Sequence, residues 1–284
     1  MIDTAVIVAT SDASTNPILP DHRPILWPVL GKPMIIQVIE PLYRLGIHNF
    51  AVLIGVEDTV ALSELQRRWM PDIKIEVSMV MPGESLGLAI QRIFSAISHQ
   101  SPNFILMGHN TFLDDETLTS VVNSSERCMV QSASDQDSVC CVAVSVEDIE
   151  SAAKGSQPKS LSEIMRALAK STAKTIKQAS WHIQVNRLDD LYALHEHLLE
   201  TKEDPYILSE ISDTVKIVPP VRIDPQVSIG QGSVIGPYVY LERGARVGYR
   251  AHIDHALILD RGNVDANETV QHAIITKSGR VHLA

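Results

Sequence analysis

VIVATSDASTNPILPDHRPILWPVLGKP, residues 6–33, decides how the rest of the chain is read. An apolar run, residues 5–9, opens it and has the character of a buried first strand of a parallel sheet. A loop of small polar residues follows, with Thr10, Ser11 and Asp12 at its start. The stretch closes on Pro28, Val29, Leu30, Gly31, Lys32 and Pro33, with Pro33 placed to open a helix. Between Met1 and Leu30 there is no Gly and no Lys, and Arg23 is the only Arg.

Working outward, the apolar spacing over 34–46 is helical, 49–55 reads as a strand, 57–70 as a helix and 73–80 as a strand. A further strand runs up to Gly108, His109 and Asn110. Two short strand-like runs fill 127–145, and helices are expected over 146–153, 161–170 and 189–200. Strands and helices alternating at βαβ spacing predict an α/β domain with a mostly parallel sheet.

The chain has 284 residues, enough for one large or two modest domains, and 45% apolar against 20% charged residues supports a sizeable core. A net charge of −10 argues against nucleic acid or an anionic membrane as a partner, since either needs a basic face. No apolar run approaches the roughly 20 residues of a membrane span, and no signal peptide is legible. Cys128, Cys140 and Cys141 fit reduced, buried thiols of a cytoplasmic protein.

From Ile211 the character changes. Ile211, Ile217, Ile223, Ile229, Ile235, Leu241, Val247, Ile253 and Leu259 recur every six residues. That period belongs to neither a helix nor an ordinary strand; three hexads close one triangular coil of a parallel β-helix. The comb slips after Leu259, where Val264 and Val270 suggest a shortened turn. About three coils result, and so short a stub needs a cap or a partner over its open edges. The domain boundary is placed near 205, giving 1–204 and 205–284.

These motifs together resemble the sugar-1-phosphate nucleotidyltransferases, some of which carry a left-handed hexapeptide β-helix. The resemblance implies a Rossmann-like catalytic domain that joins a nucleoside triphosphate to a sugar 1-phosphate with Mg²⁺. Gly31, Lys32 and Pro33 match the family's helix-entry motif. Gly87, Leu88 and Ala89 look like the loop whose backbone contacts the base; as bare sequence they also read as a helix start with one permissive Gly. Ala9, Thr10 and Ser11 stand at the nucleotide loop, which in the family ends in Gly-Thr-Arg. His109 stands where the family has its Mg²⁺-binding Asp, and Gln184 is nearest to the second one. His109 is then either a polar residue at a strand end or a hydrogen-bond partner of a phosphate or sugar. Asp114, Asp115 and Glu116 read as the acidic start of a helix.

Three functions follow. The first is a nucleotidyltransferase-like protein with impaired or no catalysis, binding a nucleotide or nucleotide-sugar or serving as a subunit of a homo-oligomer or complex through its β-helix. The second is an active enzyme in which Arg23 or Lys32 contacts the phosphates and Asp12, Asp114 or Asp115 holds Mg²⁺. The third is a hexapeptide acyltransferase with His252, His255 or His272 as general base.

Overall fold

The computed structural model describes residues 2–10, 19, 23–55, 58, 73–97, 102–124, 126–132, 139–153, 158, 160–171, 175–201 and 206–283. Ser11, Asp12, the helix expected over 57–70 and the linker 202–205 lie outside the described residues, save Asp58. Contacts divide the chain into two units. The first takes Met1–Asp12 and Ile35–Gln184, the second Ala13–Met34 and Val185–Ala284. The sequence places its boundary near 205; the contact division falls ahead of the helix Leu188–Glu200 and gives the excursion 13–34 to the second unit.

In the first unit the strands are β1 (Thr4–Ala9), β2 (Asn49–Ile54), β3 (Lys74–Met79), β4 (Asn103–Gly108), β5 (Thr111–Leu113), β6 (Cys128–Ser132), β7 (Val139–Ser145), β8 (Thr175–Ala179) and β9 (His182–Gln184). Seven of them form one sheet in the order β8-β6-β7-β4-β1-β2-β3, and only β7 runs against its neighbours. β1 is buried along its whole length, as a central strand covered on both faces must be. Alternate residues, Val6, Val8, Ala51, Leu53, Phe104 and Leu106, share one core with the helices Leu86–Ala96, Val146–Ala153 and Leu161–Ser171. β5 and β9 form a separate antiparallel pair.

The second unit is built on a coil of short parallel strands. Ile217 lies beside Ile235, Ile235 beside Ile253 and Ile253 beside Val270. Partners are therefore 18 residues apart in the first two steps (217 to 235 to 253) and 17 in the third (253 to 270). On the next face Ile223, Leu241, Ile258 and Ile275 stack, and on the third Ile229, Val247 and Val264. Ile258, not Leu259, is thus the inward residue after Ile253, which corrects the ninth tooth of the comb. The corner at Asp254 and His255 has one residue fewer, so His252–Ile258 runs through it as a single strand. At the far end Gly279–His282 folds back antiparallel on Thr269–Thr276 and covers that edge. At the near end Tyr206–Ile207 is an edge strand, with Tyr206, Ile207 and Leu208 all exposed. Among the described residues no helix is long and apolar enough to cross a membrane.

Candidate functional site

In an open α/β sheet, ligands bind beyond the carboxyl ends of the strands, where the strand order reverses. Here that point lies between β1 and β4: the chain lays β2 and β3 on one side of β1 and β4 on the other. Ala9 is buried at the end of β1, with Thr10 half-buried beyond it. His109 follows directly on β4 and is tied to β1 twice. Its backbone N–H donates to the Val8 carbonyl at 3.0 Å, and its Nδ1–H donates to the same oxygen at 3.2 Å.

His109 is buried, and desolvation pushes its pKa down to about 4, against the pull of the Val8 carbonyl. The ring is neutral at pH 7, its proton sits on Nδ1, and Nε2 has no hydrogen-bond partner among the described residues. Such a group can accept one hydrogen bond and carries no charge to set against a phosphate or a hard cation.

Asp114 does other work. It caps the helix Asp115–Val122, accepting from the Thr117 N–H and hydroxyl, each at 2.8 Å, and from the Trp181 N–H at 3.2 Å. Burial pulls its carboxyl up, and these bonds with one from Ser180 outweigh that and hold it below the usual range. Asp115 and Glu116 sit in the first turn of that helix, the place the sequence predicts for them. Gln184 lies on β9 opposite Thr111, which brings it near the loop that carries His109.

Gly87, Leu88 and Ala89 form the first turn of the helix Leu86–Ala96, whose cap Ser85 accepts from the Leu88 N–H. Gly87 packs against the helix Val146–Ala153: a Cβ on it would lie 3.2 Å from the Ala153 Cβ. Leu88 is exposed and Ala89 fully buried.

Arg23 and Lys32 belong to the second unit. Arg23 precedes a short 3₁₀ turn, Pro24–Leu26, and Lys32 stands on a two-residue hairpin between Pro28–Val29 and Lys32–Pro33. His195 meets the Leu30 N–H, and Arg222 and Asp224 lie against Gly31 in the turn before Lys32; the sequence by itself singles out none of the three. The one sequence signal is a charged pair, Arg222 and Asp224, two residues apart. His252 and His255 both flank Asp254, at 3.5 and 3.2 Å, and the rings of Tyr238, His255 and His272 lie tilted against one another, with centroids 5.1 and 4.9 Å apart. Among the described residues no group of three or more His, Cys, Asp or Glu stands so as to hold a metal ion. Mg²⁺ wants carboxylate oxygens; among the described residues neither the neutral imidazole at the end of β4 nor the Asp114 carboxylate, used as a helix cap, fits it.

Residues 217–283 match the family model described as the GMPPB C-terminal domain. Among solved structures the chain is similar to a Bacillus anthracis protein described as a glucose-1-phosphate thymidylyltransferase, crystallised in complex with sucrose. The TM-score is 0.54 at 12% identity, over 67% of this chain and 93% of that one. At that identity the likeness is one of fold: a nucleotidyltransferase-like, Rossmann-like sheet followed by a β-helix-like region. No curated protein matches the chain.

Proposed function

We propose that this nucleotidyltransferase-like chain binds a nucleotide or nucleotide-sugar, or serves as an assembly subunit, without the metal-dependent transfer of its relatives. One observation carries the reading: at the end of β4 stands a neutral imidazole whose proton is committed to Val8. Phosphoryl-type transfer draws its rate from metal ions and cations at the phosphates. The capping role of Asp114 supports the same reading, because that carboxylate is already saturated with donors. A subunit role draws support from the exposed Tyr206, Ile207 and Leu208 at the open edge of the first coil, and three free cysteines suit the cytoplasm.

The test is pyrophosphate release from nucleoside triphosphates and sugar 1-phosphates with Mg²⁺, alongside calorimetric titration of nucleotides and nucleotide-sugars with Mg²⁺ or EDTA. The expected result is binding that Mg²⁺ does not strengthen and no turnover above background. Clear Mg²⁺-dependent turnover would establish the active enzyme instead.

A further inference from the structure

One face of the coil holds positive charge on a chain that is otherwise acidic. Residues 205–284 carry eight Lys and Arg against eight Asp and Glu, so the net charge of −10 falls wholly on residues 1–204. The coil face of Ile229, Val247 and Val264 sets Ser228, Arg246 and Asn263 side by side on its outer surface, all three exposed. Arg243 and Arg261 stand at the corner where the chain enters this face, Tyr249 and Arg250 at the corner where it leaves, and all four are exposed. The face of Ile223, Leu241 and Ile258 differs. Its outer Tyr240 and Leu257 are fully buried, and His195 from the helix Leu188–Glu200 stacks on Tyr240 with centroids 5.4 Å apart.

Packing shows how the arginines are seated. A Cβ on Gly232 would lie 3.3 Å from Arg250 Cγ, and one on Gly244 3.5 Å from Arg261 Cγ, so each stem rests over the glycine of the preceding coil. Among the described residues no ion pair or side-chain hydrogen bond engages Arg243, Arg246 or Arg250. Arg261 Nε is 4.0 Å from Asp260, with both side chains open to solvent, a pairing that water keeps weak. The other acids here are already engaged: Asp265 accepts from Asn263 Nδ2 at 3.0 Å, and the half-buried Glu242 accepts from the Asp260 N–H at 2.8 Å. Tyr249, at 64%, is the most exposed large apolar side chain among the described residues. Tyrosine and arginine are residue types on which protein contacts most often turn, and a guanidinium can pair with a carboxylate through two parallel hydrogen bonds.

We propose that this face, with Tyr249 at its rim and Arg243, Arg246, Arg250 and Arg261 around it, is where a second copy of this chain docks by its acidic surface. Charge complementarity selects that occupant: the first unit exposes Asp115, Glu116, Glu147, Glu150 and Glu163, and opposite charges meeting across an interface fix its register and exclude wrong partners. The inference rests on the subunit half of the proposed function and needs none of its nucleotide binding. The experiment is sedimentation velocity of the full chain at about 50 and about 500 mM NaCl, salt that shortens the reach of exposed charges. The variants are Arg246→Glu, Arg250→Glu, Tyr249→Ser, Leu208→Glu and Lys216→Glu. Lys216 is exposed on a different face, so its reversal makes the same change in net charge elsewhere. Wild type should self-associate at low salt and loosen at high salt. Arg246→Glu, Arg250→Glu and Tyr249→Ser should each weaken association by about tenfold or more, and Lys216→Glu should match wild type. A wild type that stays monomeric at low salt overturns the proposal, and so does equal weakening by the Arg and Lys reversals. Association lost in Leu208→Glu and kept in Arg246→Glu also overturns it, by moving the contact to the open edge of the first coil, and leaves the subunit reading standing.

Discussion

At the scale of single residues, His109 is the group at the end of β4 on which the reading of the candidate site turns. An aspartate there would put a carboxylate beside the Val8 carbonyl, acceptor against acceptor, at 5% exposure. His109→Asp should cost about 3 kcal/mol, read as a shift in the urea midpoint, and millimolar Mg²⁺ should recover none of it. His109→Asn can still donate to Val8 and should cost about 1 kcal/mol. If Mg²⁺ restored the Asp variant, a carboxylate set for the ion would exist after all. The position of His109 was legible in sequence, because it follows an apolar strand at the expected point. Its neutral state was not, since that depends on burial and on a carbonyl 101 residues away. The commitment of Asp114 was half legible: the helix start shows in the sequence, the bond from Trp181 does not.

At the scale of elements, the six-residue comb showed the coil because each tooth faces inward once per side. It could not show that the corner at Asp254 and His255 is a residue shorter, since Ile258 and Leu259 are both aliphatic and both buried. Nor could it show how the rungs are tied. Ser233, a small residue at a tooth-minus-two position, donates to the Gly230 carbonyl at 2.8 Å or the Gly248 carbonyl at 2.9 Å. It also accepts from the Ala251 N–H at 3.1 Å. Ser233→Ala leaves that N–H buried and unpaired, and should cost about 1–3 kcal/mol in thermal unfolding with little change in unfolding cooperativity. The first turn of the helix Leu86–Ala96 permits a different separation. In Gly87→Ala the gain in helix propensity, up to about 1 kcal/mol, opposes the 3.2 Å approach to Ala153. Net stability should stay within about 1 kcal/mol of wild type, while Gly87→Val should lose about 2 kcal/mol. Nucleotide affinity lost in the Ala variant at unchanged stability would mark this turn as a base contact, and parallel losses would mark it as packing alone.

At the scale of the whole molecule, three titratable groups, the buried His109 and His195 and the half-buried Glu242, shape the dependence of stability on pH, and they pull in opposite directions. His109 and His195 are lowered from 6.5 to about 4, burial being the main cause in both. Between those values the unfolded chain binds protons that the fold refuses, so stability is whole above about pH 6.5 and falls as pH drops toward 4. Glu242 is raised from 4.5 to about 7, by burial first, with donation from the Asp260 N–H opposing and the charges of Asp224 and Asp260 adding. Here the fold keeps a proton that the unfolded chain has released, so stability is present below about 4.5 and is lost as pH rises through 7. The gap between 4.5 and about 7 corresponds to at most about 3 kcal/mol. Glutamine at 242 keeps an acceptor for the Asp260 N–H, now bonded at 2.8 Å, and removes the charge. Glu242→Gln should therefore melt with wild type at pH 4 and above it at pH 8, by about 5 °C or more if most of that energy is realised. The rise should develop between pH 4.5 and 7, the window in which the two states differ in proton content. Coincident melting at pH 8 would mean that water reaches the Glu242 carboxylate, leaving the two histidines to set the profile by themselves.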